Sequence, residues 1–286
     1  MKVIRSPKEF QHRMRLLRRR GSSIGFVPTM GALHEGHLRL VRRACAENDT
    51  VVVSIFVNPT QFGPGEDYKK YPRRMRDDLK KLRREKVDYV FEPTASAMVP
   101  KKSSHPVRWE TSREFHRLAG VLCGKYRPGH FRGVAAIVAK LFYLAQPHRV
   151  YFGAKDYQQT AIVRRLISDL DLDIAFRLVP TVREGDGLAM SSRNAYLSPA
   201  ERARALSLSR VLFVLRREIR AGRRGIAVLR QDAISTLRRR VDRLQYLEIV
   251  DAETLRPVSR RGRKCVALAA CYVGQTRLID NVIIPG

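Results

Sequence analysis

Apolar and polar positions alternate in blocks over the first two thirds of the chain. The apolar run SIGFVPTM is followed by HEGHLRLVRRACAEN, which has helical spacing, and then by the apolar run TVVVSIFVNP. The order recurs further along, where FRGVAAIVAKLFYLAQP precedes RVYFGAKD. Continuous apolar strands that alternate with helices are typical of a parallel sheet covered by helices on both faces. We therefore predict a doubly wound, Rossmann-like α/β domain over residues 1–181.

The pattern changes after Arg183. A glycine-rich loop, EGDGLAMSSRN, is followed by two segments of helical spacing between Pro199 and Arg240. Three segments then alternate between apolar and polar positions: QYLEIVD, CVALAACYVG and RLIDNVIIP. This alternation predicts strands with one exposed face. Residues 182–286 are therefore predicted to form a smaller α+β domain that acts as a lid on the first.

The N-terminal segment, the apolar runs and the cysteines bear on where the protein resides. The first residues are basic, as in a targeting peptide, but Ser6 and Pro7 occupy the positions of an N-cap and a first helical residue. No apolar run approaches the roughly 20 residues that a membrane span requires. The four cysteines form no C-x-x-C pair, which indicates neither a zinc site nor a disulfide framework. We predict a cytoplasmic protein without a membrane partner.

The chain is strongly basic, with 56 Lys and Arg against 27 Asp and Glu and a formal net charge of +29. Basic clusters at 18–20, 83–84, 223–224 and 238–240 have the charge to contact nucleic-acid phosphates. They lie beside apolar residues at helical spacing, however, and no aromatic RNA-binding platform accompanies them. We therefore predict solvated helix faces and no specific nucleic-acid partner, with a positive field that attracts small polyanions.

The segment TMGALHEGHL, residues 29–38, follows a predicted strand and opens a predicted helix. Backbone N–H groups at the helix N-terminus lie there beside His34 and His37, three residues apart. Imidazole N–H groups can donate to phosphate oxygens and stabilise a five-coordinate transition state more than the ground state. The alternative is that both histidines only cap or cover the helix. Their position after Pro-Thr-Met-Gly favours phosphate binding, although the P-loop and dinucleotide fingerprints are absent.

Three further segments place polar side chains at strand ends or in a loop. Gln61 follows the next strand, and its amide suits a ligand with hydroxyl and carboxylate groups. Lys155 and Asp156 follow the strand RVYFG, with Gln158 and Gln159 in the first helical turn. The ammonium of Lys155 can neutralise charge on a phosphoryl group. The loop GLAMSSRN supplies two hydroxyls and a guanidinium that can close over a triphosphate and exclude water.

Five motifs in this order resemble the pantoate–β-alanine ligase family, the pantothenate synthetases: VPTMGALHEGHL, SIFVNPTQFG, YRPGHFRGV, FGAKDYQQ and DGLAMSSRNAYL. The resemblance covers nearly the whole chain. The first and last motifs are also similar to the HIGH and KMSKS motifs of adenylate-forming nucleotidyltransferases. The resemblance implies a HIGH-type nucleotidyltransferase fold and an ATP-dependent condensation of (R)-pantoate with β-alanine. The expected products are pantothenate, AMP and pyrophosphate, formed through a pantoyl adenylate in coenzyme A (vitamin B5) biosynthesis.

The resemblance also implies catalytic and nucleotide-binding residues. His37 is the expected proton donor, and His34, Lys155 and Arg193 are expected to act with it in catalysis. The residues expected to contact ATP are Met30, Gly31, Ala32, Leu33, His34, Glu35, Gly36, His37, Gly153, Ala154, Lys155, Asp156, Val182, Met190, Ser191, Ser192 and Arg193.

Further expectations from the resemblance concern the other ligands and the assembly. Gln61 and Gln159 are expected to hold pantoate, and Gln61 also β-alanine. Mg²⁺ is expected to accompany ATP near Asp77 or Asp78, and the chain is expected to form a homodimer. The chain departs from the family at Ala154, where a glutamate commonly precedes the lysine of the motif. One carboxylate near the phosphates is therefore missing, which bears on fine positioning of the nucleotide.

Two alternative functions share some of these residues. A nucleotidyltransferase that couples a nucleotide to a phosphorylated small molecule would use the histidine motif but keep a diphosphate adduct as its product. An RNA-binding protein on a catalytically inactive synthetase-like scaffold would use the positive charge. For the ligase, catalysis requires little of the protein beyond positioning the substrates and protecting the mixed anhydride from water. No covalent enzyme intermediate is therefore expected.

Overall fold

The computed structural model describes residues 1–99, 112–260 and 262–286. Within them, nine strands form two sheets. The strands are β1 (Lys2–Ile4), β2 (Ile24–Thr29), β3 (Thr50–Ile55), β4 (Tyr89–Phe91), β5 (Arg149–Gly153), β6 (Ala175–Val179), β7 (Arg243–Asp251), β8 (Cys265–Val273) and β9 (Thr276–Ile284).

Ten α-helices and three short 3-10 helices connect the strands in the described part of the chain. The α-helices are α1 (Pro7–Arg19), α2 (Glu35–Glu47), α3 (Met75–Arg84), α4 (Ala95–Met98), α5 (Arg113–Gly120), α6 (Cys123–Tyr126), α7 (His130–Ala145), α8 (Tyr157–Asp169), α9 (Pro199–Ala221) and α10 (Ile226–Arg238). The 3-10 helices are Pro59–Gln61, Ala154–Asp156 and Ser192–Tyr196.

The first sheet is parallel throughout and has the strand order β1-β4-β3-β2-β5-β6. Helices α1 and α7 bury apolar side chains such as Phe10 and Val138 against one face. Helices α2 and α3 bury Val41 and Leu82 against the other. The predicted doubly wound, Rossmann-like sheet is therefore confirmed. The edge strand β1 is absent from the predicted elements, because three residues are too few to display a period.

Local signals set the start of α1. The hydroxyl of Ser6 accepts a hydrogen bond from the backbone N–H of Glu9 at 3.4 Å, and Pro7 is the first helical residue. Phe10 and Met14, four residues apart, are fully buried against the sheet. The basic N-terminal segment is therefore part of the folded sheet and helix, as the N-cap signal predicts.

The strand order reverses between β2 and β5, because β3 pairs with one edge of β2 and β5 with the other. The connections that follow β2 and β5 consequently leave on opposite sides of the sheet and open a crevice at the carboxyl ends of these strands. Residues 30–34 follow β2 and residues 154–156 follow β5. Two of the predicted motifs thus flank the crevice.

The second sheet is antiparallel, in the order β7-β8-β9, and its strands match the three predicted segments. The expectation of one exposed face is wrong for β8, where every residue but Tyr272 is buried. Cys265, Ala267 and Ala269 pack against α9 and α10, whereas the alternate residues pack in a cluster with α5 and α8. The strand alternates between two buried faces, because the sheet lies between two helical layers. The division into two domains at residue 181 stays a prediction.

The cysteines and most of the basic clusters can be located in the structure. All four cysteines are free, and the basic clusters 83–84, 223–224 and 238–240 are exposed at helix surfaces and ends. This exposure agrees with their interpretation as solvated faces. None of the helices described in the structure is long and apolar enough to cross a membrane.

Candidate functional site

A cleft lies at the carboxyl ends of β2 and β5, at the point where the strand order reverses. The start of α2, one side of α7, the 3-10 helices at 59–61 and 154–156 and the loop 190–193 surround it. The structure brings most of the predicted site residues together there: Met30, His34, Gly36, His37, Gln61, Gly153, Lys155, Asp156, Gln159, Val182, Met190, Ser191, Ser192 and Arg193.

The other predicted residues are close in sequence but do not line the cleft. Gly31, Ala32 and Leu33 form the turn between β2 and α2, and the side chain of Leu33 is buried. Glu35 forms an ion pair with Arg42 along α2. Ala154 is buried. Asp77 and Asp78 lie in the first turn of α3.

The rings of His34 and His37 are in contact at the N-terminus of α2, with centroids 4.1 Å apart and planes tilted by 40°. The backbone N–H of His34 donates to Nδ1 of His37 at 3.3 Å. In a neutral His37 the proton therefore resides on Nε2, which is free to donate to a ligand. Nδ1 of His34 is buried without a protein partner in the described structure. A Cβ at Gly36 would lie 2.9 Å from the His34 ring, so glycine permits this packing.

Both imidazoles are neutral near pH 7. Burial and the positive charge of Lys155 lower the pKa of His34 from 6.5 to about 4. Burial and the neighbouring His34 hold the pKa of His37 well below 6.5. A neutral imidazole keeps one N–H and one acceptor nitrogen, so the pair can donate hydrogen bonds to an anion without carrying a full positive charge.

Lys155 lies in the 3-10 turn that follows β5, and a strand of the second sheet holds this turn in place. Asn281 of β9 is buried, and its side-chain amide donates to the carbonyl oxygens of Ala154 and Lys155 at 2.8 Å each. The neighbouring Asp280 forms a bidentate ion pair with Arg183 at 2.7 and 2.9 Å. Strand β9 thus anchors the turn that carries Lys155 and, through Arg183, the segment that follows Val182 in the cleft lining.

Gln61 projects into the cleft from the 3-10 helix that follows β3. Its side-chain amide donates to Sδ of Met30 at 2.9 Å, and its Oε1 accepts from Asn58 at 3.3 Å. Its backbone carbonyl accepts from Nδ1 of His130 at 2.7 Å. Burial and the charge of Arg127 lower the pKa of His130 to about 4, so this ring is also neutral. Contacts on both sides therefore orient the glutamine.

The two adjacent glutamines of α8 have different surroundings. Gln158 is buried, and its amide donates to the carbonyls of Leu118 and Val121 while its Oε1 accepts from the N–H of Cys123. Gln159 lines the cleft. Of these two glutamines, the resemblance implies a ligand role only for Gln159, which is the one at the cleft. Gln158 instead holds α5 and α6 against α8.

The Ser-Ser-Arg segment covers one side of the cleft and contacts the loop that precedes α3. Arg193 forms a bidentate ion pair with Asp67 at 2.9 Å for both contacts, and its guanidinium lies over the ring of Tyr71. The hydroxyl of Ser192 donates to that of Tyr71 at 3.4 Å. Ser191 caps the following turn by accepting from the N–H of Arg193. The segment is therefore held at the cleft by residues about 120 positions earlier in the chain.

Several residues of the cleft are absent from the predicted set. An apolar wall is formed by one side of α7, and Tyr71 contributes a ring beside Arg193 and Ser192. The hydrophobic pattern carried no signal for the wall, because α7 is apolar nearly all round and its cleft-facing side chains resemble core residues. Asn58 could have been found, since it lies three residues after the end of β3, at the sheet's carboxyl edge. The wall residues are Val134, Ile137, Val138 and Leu141.

The two aspartates associated with Mg²⁺ by resemblance do not have the surroundings of metal ligands. Both carboxylate oxygens of Asp78 accept backbone N–H groups, from Ala32 at 2.8 Å and Leu33 at 2.7 Å. Asp77 is exposed and lies outside the cleft lining. No group of three His, Cys, Asp or Glu side chains in the described residues could hold a metal ion. The donor set fits a metal that arrives bound to phosphate oxygens better than a resident ion.

The cleft combines two kinds of surface. Backbone N–H groups at the start of α2, two neutral imidazoles and the cations of Lys155 and Arg193 can receive negatively charged oxygens. The wall of α7 and the ring of Tyr71 offer apolar contact and limit the access of water. Such a site suits a polyphosphate beside a small, partly apolar acid.

Comparisons with known proteins agree on one family. A family model described as pantoate-beta-alanine ligase matches residues 2–283. Pantothenate synthetase of Thermotoga neapolitana is 50% identical over 286 residues, covering 99% of this chain and 100% of that protein. The crystal structure of pantothenate synthetase from Thermus thermophilus is similar over 100% of both chains, with a TM-score of 0.91 and 44% identity.

A third relative was solved with ligands. The crystal structure of pantoate-beta-alanine ligase from Francisella tularensis, complexed with beta-gamma ATP and beta-alanine, is 33% identical to this chain. It has a TM-score of 0.78 and covers 99% of this chain and 97% of that one.

Proposed function

This chain belongs to the pantoate–β-alanine ligase family, and we propose that it condenses (R)-pantoate with β-alanine through a pantoyl adenylate, releasing AMP and pyrophosphate. The observation that carries the proposal is the convergence of the histidine pair, Lys155, the two cleft glutamines and the Ser-Ser-Arg segment on one cleft. A related enzyme binds beta-gamma ATP and beta-alanine, which supports the same substrates here.

In the first half-reaction the pantoate carboxylate attacks the α-phosphorus of ATP, in line with the departing pyrophosphate. Nε2–H of His37 donates to a nonbridging oxygen as charge accumulates in the transition state. Lys155 and Arg193 balance the charge of the triphosphate and the leaving pyrophosphate. Gln61 and Gln159 orient pantoate by accepting from its hydroxyl groups and donating to its carboxylate.

In the second half-reaction the neutral amine of β-alanine attacks the carbonyl carbon of the mixed anhydride. The C–N bond forms, AMP leaves with the electron pair of the broken C–O bond, and the nitrogen releases one proton to solvent. The chain has only to hold the two reactants in contact and keep water away. The apolar wall of α7 and the Ser-Ser-Arg segment serve the second purpose.

Mg²⁺ enters this scheme as part of the MgATP substrate, neutralising phosphate charge when bound. Asp78 is engaged with backbone N–H groups and is therefore not assigned to the metal. The chain's own contribution at the triphosphate is its cationic side chains and N–H donors. We also propose that the protein is cytoplasmic and forms a homodimer. Light scattering of the purified protein at several concentrations tests the dimer.

The decisive assay measures pyrophosphate release from ATP, Mg²⁺ and pantoate, with and without β-alanine. Full turnover is expected to require both substrates and to yield AMP and pantothenate. His37→Ala is expected to lower kcat by about 10²- to 10³-fold, since it removes a donor to the transition state. The control is His12→Ala, an exposed histidine of α1. A stable nucleotide adduct as product would favour the nucleotidyltransferase alternative, and steeply salt-dependent RNA binding without turnover would favour the RNA-binding one.

The adenylate is tested by isotope exchange. Radiolabelled pyrophosphate is expected to enter ATP when pantoate is present and β-alanine is absent, because the first half-reaction reverses. Exchange that requires β-alanine, or an acyl group found on a serine or cysteine of the chain, would exclude a free pantoyl adenylate.

A further inference from the structure

We propose that Asp78 and Lys81 of α3 are positioning residues, which hold the turn between β2 and α2 so that the N-terminus of α2 and its histidines face the triphosphate. In this role Asp78 is a clamp on the protein backbone and not a magnesium ligand. The inference rests on the proposed function, since the turn it concerns is part of the proposed ATP site.

The clamp consists of three hydrogen bonds between α3 and the turn. The carboxylate of Asp78 accepts from the N–H of Ala32 at 2.8 Å and from that of Leu33 at 2.7 Å. The ammonium of Lys81, one helical turn later, donates to the carbonyl of Leu33 at 2.5 Å. Charged partners make these bonds stronger than bonds between neutral groups. Asp78 is only 1% exposed, so water does not compete for its oxygens.

The turn requires such support because of its backbone conformation. Gly31 has a φ of 81° and Ala32 a φ of 50°, two consecutive residues in the left-handed region. Alanine in this region costs about 1 to 2 kcal/mol relative to its usual conformations. A side chain at Gly31 would approach a carboxylate oxygen of Asp78 to 3.1 Å, which shows how closely the clamp follows the turn. The conformation therefore depends on contacts from outside the segment.

The turn determines where the catalytic groups lie. His34, which caps α2, comes two residues after Ala32, and His37 is in the first turn of the helix. A change in the φ and ψ angles at residues 31–33 would rotate the start of α2 and move both imidazoles relative to Lys155, which follows β5. Displacement of a catalytic group by about 1 Å can cost about 100-fold in rate.

The surroundings of Asp78 disfavour a bound cation. Its oxygens face backbone N–H groups, and the ammonium of Lys81 is directed at the same turn. A divalent ion would displace those N–H groups and lie close to a fixed positive charge. The neighbouring Asp77 takes no part in the clamp and is exposed, which makes it a matched control.

The experiment compares Asp78→Asn with Asp77→Asn in steady-state assays. Asp78→Asn is expected to lower kcat/KM for ATP by about 10- to 100-fold, with the KM for pantoate within about twofold of wild type. The Mg²⁺ concentration that gives half-maximal rate is expected to stay unchanged in both variants. A raised Mg²⁺ requirement in either variant would overturn the clamp and support a metal-ligand role.

A second pair of variants guards against a folding failure of Asp78→Asn. Lys81→Met removes one of the three bonds and keeps much of the side-chain volume, and about a 3- to 10-fold loss in kcat/KM for ATP is expected. Lys81→Arg retains a donor and is expected to lie closer to wild type than Lys81→Met. Equal losses in both variants, or none in either, would contradict the role given to Lys81.

Hydrogen exchange provides a readout that does not depend on turnover. In Asp78→Asn the amides of residues 27–40 are expected to exchange at least about tenfold faster than in wild type, while residues 265–284 are unchanged. Unchanged exchange in the first segment would overturn the clamp even if activity falls. Absence of pantoate-dependent turnover in the wild type would instead refute the proposed function and leave this measurement valid.

Discussion

At the scale of single residues, the cleft depends on histidines that stay neutral. His34 has a pKa lowered to about 4, because burial and Lys155 disfavour the charged ring. A charged ring would attract phosphate more strongly in the ground state, but a neutral donor avoids desolvating a full charge. The same environment makes protonation of the folded protein unfavourable, so these residues link pH to stability.

At His34, the lowered pKa predicts how the stability of the fold depends on pH. The unfolded chain binds a proton at this side chain below about pH 6.5, whereas the folded chain does so only near pH 4. Unfolding therefore takes up a proton between these values, and stability falls as the pH is lowered through this window and levels off below it. His34→Gln is expected to reduce the loss of unfolding free energy between pH 7 and 5 by about 2 kcal/mol, since the unfolded ring is protonated over about 1.5 pH units of this range while the folded ring stays neutral.

Urea denaturation at the two pH values measures this difference. His12→Gln, an exposed site on α1, serves as the control and is expected to follow the wild type. The assignment to His34 fails if His34→Gln and wild type lose stability in parallel.

At the scale of elements, the position of Gln61 depends on the close approach of α7 to the 3-10 helix at 59–61. The amide of Asn58 donates to the carbonyl of Gly133 at 3.0 Å. A Cβ at Gly133 would lie only 2.2 Å from the carbonyl oxygen of Thr60, which is backbone and cannot move aside alone. The absence of a side chain in α7 therefore sets the distance between the apolar wall and the glutamine.

Gly133→Ala is consequently expected to move the 59–61 segment and to raise the KM for pantoate by about tenfold or more, with a loss of stability of about 1 to 3 kcal/mol. Steady-state kinetics and thermal denaturation measure both effects. Gly120→Ala, at the end of α5 where a Cβ meets no atom within 4 Å, is the matched control. Similar behaviour of the two variants would show that the close approach has no functional consequence.

A second prediction at this scale concerns the Ser-Ser-Arg segment. Asp67 orients the guanidinium of Arg193 through two hydrogen bonds, so Asp67→Asn leaves the arginine without its charged partner. The KM for ATP is expected to rise by about 3- to 10-fold, since a half-buried bidentate pair contributes about 1 kcal/mol to positioning. Asp232→Asn, which breaks an exposed pair with Arg224, is expected to leave the KM unchanged. An unchanged KM for ATP in Asp67→Asn would show that the Asp67–Arg193 ion pair does not contribute to nucleotide binding.

At the scale of the whole molecule, the second sheet is a structural partner of the active cleft. Its central strand β8 is buried on both faces, and β9 supplies Asn281 to the turn that carries Lys155. The strong positive charge is distributed over exposed helix surfaces, where many arginines form ion pairs with nearby carboxylates, such as Arg42 with Glu85. The molecule thus presents cations to solvent, and buried polar contacts connect the second sheet to the turn that carries Lys155.

Asn281→Ala tests the connection between the sheets. It removes two hydrogen bonds to buried carbonyls and is expected to cost about 1 to 3 kcal/mol of unfolding free energy. It is also expected to lower kcat/KM for ATP, because the turn of Lys155 loses its anchor. Asn281→Asp keeps the volume but lacks the donor, and should be at least as damaging. Recovery of stability and activity in Asn281→Asp would show that packing, and not donation, matters here.

Much of the architecture follows from local signals. The α/β order was predictable because apolar runs and helical spacing are properties of short segments, and the N-cap at Ser6 needs only its own neighbours. Residues at strand ends, such as His34 and Lys155, were predictable as cleft residues because parallel strands bring their carboxyl ends to one edge. Composition also indicated exposed basic surfaces.

Other features arise only from tertiary contacts. The two buried faces of β8 depend on helices from other parts of the chain, so the alternation within the strand could not reveal them. The clamp of Asp78 on Leu33 joins residues 45 positions apart, and the pair of Asp67 with Arg193 joins residues 126 apart. The sequence alone determined which segments are strands, helices and chemical motifs, because those depend on neighbours along the chain. The tertiary structure decided which partners each side chain meets, because packing of distant segments sets burial and hydrogen bonding.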